Sequence, residues 1–201
     1  MARRADHTKE ELEALIVSAA RQLIVADGVD KLSARRLSKE IGYAPGTLYH
    51  HFDDLDAIVT AVNVGTLNGL ALAFSQAQEG ELSGDTLHRY ADVFLDYVQR
   101  NKNLWNALFE FRRAPGTEVP EWYVAKIDGL IHMLTACFVA ERSDLPEEQA
   151  QEASRLLFAS VHSVSSLENS GRLQLIMNQN IAEIAHNLVD IHLQAYKNRK
   201  N

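Results

Sequence analysis

Helix breakers are scarce in this chain: four prolines and ten glycines punctuate 201 residues. The apolar residues agree with a helical reading almost throughout. Leu12, Leu15, Ile16, Ala19, Ala20, Leu23 and Ile24 recur at the spacing of one helix face. Thr8 is placed to cap that helix and Gly28 to stop it. Ser33 caps a second, with Leu32 and Leu37 as a hydrophobic staple, and Gly42 ends it. A third, short helix starts with Pro45 in its first turn and ends near Phe52. Asp53 or Asp54 caps a fourth, long one reaching about Gln78. Further helices are expected at 85–101, 103–113, 120–141, 146–169 and 180–197, with the clearest linker at residues 79–84. No period-2 run of β-branched residues predicts a strand. The fold class is all-α: three short N-terminal helices joined by a long helix to a larger C-terminal helical body.

The segment from Leu32 to Phe52 carries the function. It reads as a helix of about nine residues, a tight glycine-containing turn and a short second helix, the spacing of a helix-turn-helix. Leu37, Ile41, Leu48 and Phe52 give the pair an apolar inner side. Tyr43, Pro45, Gly46, Thr47, Tyr49 and His50 are left for the outer side. An α-helix fits the DNA major groove, and residues near the start of the second helix reach base edges. Hydroxyls and imidazole nitrogens there can bond bases or phosphates, and Gly46 clears room for the backbone.

At these residues the chain resembles the TetR family of bacterial transcriptional regulators. The resemblance rests on the first helix and Gly28, on Ser33 to Ile41, on Gly42, and above all on Gly46, Thr47, Leu48, Tyr49, His51 and Phe52. It covers about 55 residues as motif, the remainder matching in size and helical content. It implies a homodimer on a palindromic operator, most often as a repressor. It also implies a small-molecule effector in the C-terminal body that weakens DNA binding by shifting the fourth helix. Residues 1–52 would be the helix-turn-helix DNA-binding domain and 53–201 the ligand-binding and dimerisation domain. Arg35 matches a DNA-contact position of the second helix. Thr47, Tyr49 and His51 match groove or phosphate positions of the third.

The chain departs from the family pattern twice. Ala44 stands where Ser or Thr usually caps the recognition helix, an exchange that costs about 0.5–2 kcal/mol. The start of the fourth helix, Asp53 to Asp56, lacks the usual lysine, and Leu55 holds the corresponding place. No Lys or Arg occurs between Lys39 and Arg89. Phosphate contact must then rest on Arg3, Arg4, Lys9, Lys31, Arg35, Arg36 and Lys39.

Charge supports a two-part chain. Of 20 Lys+Arg and 27 Asp+Glu, residues 1–52 hold eight and seven, so the acidity lies in the C-terminal part. That pattern suits an anion-binding head on an acidic body. A lone cysteine, Cys137, excludes a disulfide framework and reads as an inert buried thiol. No apolar run approaches the ~18 residues of a membrane span, and the charged N-terminus does not read as a secretory signal. The expected location is the cytoplasm, with no membrane partner, metal or cofactor. Metalloprotease, P-loop and nucleophile-elbow motifs are absent, so no enzyme is expected.

In the body, Phe94, Trp105, Phe109, Trp122, His132, Phe158 and His162 are candidates for an effector pocket. His132 and His162 are polar residues on otherwise apolar helices. The effector is expected to be a mostly apolar molecule, because Lys and Arg are scarce on the aromatic-rich stretches. Ala153 and Ser160 on the helix at 146–169, with Ile184, Leu188 and Ile191 on the last, are the expected dimer face. The last helix is too broadly apolar to be packed on one side only. Two rivals remain: an all-α small-molecule-binding protein with a degenerate helix-turn-helix, and a helical-bundle enzyme using His132 or His162 as acid–base.

Overall fold

A computed structural model of the chain describes residues 7–78, 80–109 and 119–195. These form nine α-helices and no strand: α1 (Lys9–Asp27), α2 (Ala34–Ile41), α3 (Pro45–Leu48), α4 (Leu55–Ala77), α5 (Gly84–Arg100), α6 (Lys102–Phe109), α7 (Glu121–Glu141), α8 (Glu147–Asn169) and α9 (Ile181–Ala195). Two single 3₁₀ turns, Val29–Lys31 and Leu173–Leu175, join α1 to α2 and lie between α8 and α9.

The local signals act as their chemistry requires. The Thr8 hydroxyl accepts from Glu11 N at 3.2 Å while Glu11 accepts from Thr8 N at 2.8 Å, a reciprocal capping box. Ser33 caps α2 by accepting from Arg36 N at 3.3 Å. Gly42 ends α2 with φ of 74°, a left-handed conformation that a side chain would strain. Asp54 Oδ1 accepts from Ala57 N at 2.7 Å at the start of α4. Nothing caps α3 from the side chain of Ala44, and Pro45 opens it at a position whose amide would lack a partner anyway.

The chain divides into two compact units, neither continuous in sequence: residues up to 67 with 101–123, and 68–100 with 124–201. The first has its own core. Ile16, Ile24, Leu37, Leu48 and Ile58 are fully buried there, and α6 contributes Leu104 and Ala107. Two asparagines fix α6 in that unit. Asn103 donates to Val25 O at 2.9 Å, and the buried Asn63 of α4 donates to Ala107 O at 3.1 Å. In the second unit α9 packs on α5 and α8. There the Thr135 hydroxyl donates to Ile131 O and lies 3.1 Å from Ser154 Oγ, so a polar pair joins α7 and α8 without an orphaned group.

One expectation needs correction. α4 and α7 each contain an 18-residue window apolar enough to cross a membrane by length and composition, with mean hydropathy 1.6 and 1.4. Counting uninterrupted apolar residues missed them, because Asn63, Thr66 and Asn68 break the run in α4 without lowering its mean far. Half of the α4 window is buried within the protein.

Candidate functional site

The α2–α3 pair presents a surface built on a buried inner side. Leu37 and Leu48 are fully buried, and Ile41 and Phe52 pack against the same core. That leaves Pro45, Gly46, Tyr49 and His50 exposed, with Arg35 exposed on α2. Tyr49 keeps 51% of its surface open. Thr47 is half-buried. Tyr43 is less outward than its position suggested: it packs partly against the core of the first unit.

His51 departs further from the expected placement. Its side chain is only 15% exposed, and Nδ1 faces Glu13 Oε1 of α1 at 3.5 Å. Several expected phosphate-binding cations are also engaged within the protein. Arg36 pairs with Asp27, and Lys9 Nζ lies 3.8 Å from Glu13 Oε1. Arg35, Lys31 and Lys39 are exposed, whereas Arg3 and Arg4 lie outside the described residues. Leu55 packs partly against the core, so a lysine there would forfeit contacts as well as add charge.

The second unit holds an apolar cavity of about 30 Å³. Phe74, Leu87, Tyr90, Phe94, Phe158 and Val189 are among the side chains that line it. Of the pocket candidates, only Phe94 and Phe158 are lining residues, their rings meeting edge to face at 5.8 Å. Trp105, Phe109 and Trp122 fall in the first unit. Trp105 is buried there, while Phe109 and Trp122 are about half exposed, at 49% and 54%. His132 is exposed, with Nδ1 2.8 Å from Asp128 O of its own helix, and is not a lining residue. The cavity residues Phe74, Leu87 and Tyr90 went unrecognised, because helical periodicity marks burial without saying what a residue is buried against.

His162 is half-buried, with its ring nearly parallel to that of Phe158 at 6.3 Å. Burial pushes its imidazole below the ordinary 6.5. The unfolded chain therefore takes up a proton first on acidification. The associated stability is intact above pH 6.5 and falls below it. His162→Gln should remove that component, so its melting temperature should fall less than the parent's between pH 7 and pH 5. Equal falls in both proteins would place the acid sensitivity elsewhere. Cys137 is fully buried, and burial pushes its thiol up to about 11, which leaves little nucleophilic thiolate at neutral pH.

On the expected dimer face, Ala153 and Ile184 need correction. At 0% and 5% exposure they are enclosed by their own unit and offer a second copy almost nothing. Ser160 and Leu188 are half-buried, and Ile191 is 57% exposed. Leu156 adds a 48% exposed leucine on α8 that had not been singled out. Among the described residues no three His, Cys, Asp or Glu side chains are grouped to hold a metal ion.

Comparison with known proteins agrees with this architecture. The profile described as bacterial regulatory proteins, tetR family, matches residues 16–62. A second, described as tetracyclin repressor-like, C-terminal domain, matches residues 87–192. The chain belongs to the TetR family. It is 26% identical over 115 residues to an uncharacterized HTH-type transcriptional regulator of Haemophilus influenzae. That match covers 57% of this chain and 55% of the relative, so the chain spans little more than half the length of that curated protein. Among solved structures, a protein of unknown function from Rhodococcus sp. RHA1 superposes with a TM-score of 0.74 at 18% identity, over 97% of this chain and 98% of that one. BioQ with its double-stranded DNA operator superposes with a TM-score of 0.65 at 17% identity, over 90% and 98%.

Proposed function

We propose that this chain is a ligand-responsive, DNA-binding transcriptional regulator, working as a repressor in the cytoplasm. Residues 1–52 form its DNA-binding domain and residues 53–201 its ligand-binding and dimerisation domain. It binds a palindromic operator as a homodimer and is released by a small, mostly apolar effector. The observation that carries this reading is the exposed row Pro45, Gly46, Tyr49 and His50, on α3 and the turn that follows it, fixed from behind by Leu48. A tyrosine left exposed at the end of α3 suits groove contact better than packing. Solved BioQ holds double-stranded DNA on the same fold, which supports the reading.

Each subunit of a two-fold dimer presents one such helix, so half-sites are expected about one turn apart, roughly 34–36 Å or a little more. The effector follows from the cavity. At about 30 Å³ it has room for a water or two, so an organic molecule enters only if the walls part. Phe74 of α4 belongs to that wall, and the first half of α4 belongs to the unit that carries the helix-turn-helix. Effector binding is thereby linked to the DNA-binding head through α4. A tenfold loss of DNA affinity requires only about 1.4 kcal/mol of preference for one state.

Tyr49→Ala and Thr47→Ala test the reading in a gel shift against the protein's own upstream DNA. Each should weaken specific binding by about 1–3 kcal/mol with an unchanged melting temperature. Unchanged affinity in both would show that another surface meets DNA. A second reading is favoured by one observation: the start of α4 carries Asp53, Asp54 and Asp56, with Leu55 in the place of the usual lysine, and Arg36 and Lys9 are held in ion pairs. It makes the chain a small-molecule-binding protein with a degenerate helix-turn-helix. Absence of any shift by the parent protein would favour it.

A further inference from the structure

The apolar cavity of the second unit has one polar feature. Of its described lining residues, Tyr90 alone carries a polar side-chain group, the phenol hydroxyl. The ring is fixed: it stacks on Phe74 at 4.5 Å and keeps 1% of its surface open. The hydroxyl is held less firmly. It donates to Gln78 Oε1 at 3.5 Å, where an O–H···O bond is ordinarily about 2.7–2.8 Å. Gln78 is exposed, one residue beyond the end of α4, and its backbone amide donates to Phe74 O at 3.1 Å.

Two groups act electrostatically on that hydroxyl, Cys137 and Arg89. The Cys137 thiol, pushed up to about 11, is neutral at pH 7, so the charge present is the positive one of Arg89. Arg89 is placed by its own helix: Nη2 donates to Thr86 Oγ1 at 3.1 Å, and Thr86 is fully buried. Burial holds the Tyr90 hydroxyl above its usual 10, so it remains a proton donor at neutral pH. A neutral donor under the field of a cation, on an otherwise apolar wall, suits an acceptor that carries negative charge. It disfavours an ammonium group. A hydrogen bond to a charged acceptor is shorter and roughly twice as strong as a neutral one, so an anionic head can displace the Gln78 carboxamide.

We propose that the effector is an amphipathic carboxylate: its apolar body parts the cavity walls, and its carboxylate takes the Tyr90 hydroxyl from Gln78 under the charge of Arg89. This rests on the effector-binding reading of the second unit and gives that effector a head group. One hydroxyl and one cation suit a single charge, whereas a phosphate dianion would bring a second, uncompensated charge into an apolar space. Taking Tyr90 from Gln78 also removes a tie between the end of α4 and α5.

The test compares three probes with the same eight-carbon chain, octanoate, octanol and octylamine, near neutral pH and below micelle formation. Affinities are read from the rise in melting temperature of the free protein with probe concentration. No DNA is present, so the outcome is independent of the operator-binding reading. Octanoate should bind the parent about tenfold or more tightly than octanol, the size of one hydrogen bond to a charged group, and octylamine should bind most weakly. Arg89→Gln should erase that preference by weakening octanoate alone, and Arg89→Lys should restore most of it. An arginine with a merely structural role would instead shift all three probes together. Tyr90→Phe keeps the ring and its stacking and should weaken octanoate several-fold. Octanol binding as tightly as octanoate, or a preference for octanoate that persists in Arg89→Gln, overturns the proposal and leaves the apolar-effector reading standing. If none of the three probes raises the melting temperature of the parent, the proposal falls together with that reading.

Discussion

A variant carrying Leu188→Glu and Ile191→Glu should sediment as a folded monomer at micromolar concentration, where the parent should sediment as the proposed dimer. Ile191 is 57% exposed and Leu188 only half-buried, so in the single chain the new carboxylates stay in reach of water. Across a two-fold axis each substitution appears twice, and four carboxylates would enter an apolar contact. Desolvating each costs several kcal/mol without a partner charge, more than a modest interface returns. Operator affinity should collapse with the dimer. Two heads joined in one particle bind the second half-site at high effective concentration, a gain of roughly 10²–10⁴ that a monomer lacks. Sedimentation and a gel shift check the two halves separately. A dimer that survives both charges places the interface on another face. A monomer that still binds the full operator with parent affinity removes the two-fold from the mechanism.

The choice of residues 188 and 191, rather than 184, shows where sequence reasoning stops. Helical periodicity placed Ile184, Leu188 and Ile191 together on one broad apolar face. That width is real, but its inner half packs at home: Ile184 keeps only 5% of its surface open. A sequence gives the period of a face without giving the depth at which each residue sits. Ala153 fails for the same reason. Small residues that permit close helix approach do so equally against a neighbour in the same chain.

The head was more legible, because its signals are local. Thr8 with Glu11, Ser33 and Gly42 each act within four residues, and each occupies the cap assigned to it. Six of the seven residues in the α1 stripe are buried, with Leu15 at the margin. What the sequence could not show are partners brought in from far along the chain. α6 enters the core of the head unit through Leu104 and Ala107, held by Asn63 from 44 positions away. Glu13 meets His51 across 38 positions, and nothing near either residue announces it. Trp105, Phe109 and Trp122 were grouped with Phe94 and Phe158 because all are aromatic and helical. Only the folded chain separates those on the cavity wall from those in the other unit.

Phe94→Ala should produce the largest loss of stability of any single substitution argued for this chain. The ring is 3% exposed, lines the cavity and meets Phe158 edge to face. Phe→Ala in such a place costs about 3–5 kcal/mol, because the packed wall relaxes only partly into the space. For a chain of this size that is roughly 6–20 °C of melting temperature. The void left behind would add to the existing 30 Å³ and remain apolar. Dry voids of roughly 150 Å³ lined by Leu, Ile and Phe take up benzene, and a ligand at a hundred times its dissociation constant returns about 2.7 kcal/mol. Benzene should therefore raise the melting temperature of Phe94→Ala by several degrees and leave the parent unmoved. A variant that melts within a degree of the parent shows that Phe94 does not hold the wall. Equal effects of benzene on both proteins show that the ring does not bound the void. DNA binding supplies the sharper contrast. In the parent an effector larger than a water or two must move Phe74 and its neighbours, and that displacement is what can act on α4. In Phe94→Ala benzene fits the vacated space without moving the wall. It should therefore stabilise the variant and leave its operator affinity unchanged. If benzene both stabilises Phe94→Ala and releases it from DNA, occupancy of the cavity alone is the signal, and displacement of α4 by a bulky effector is not required.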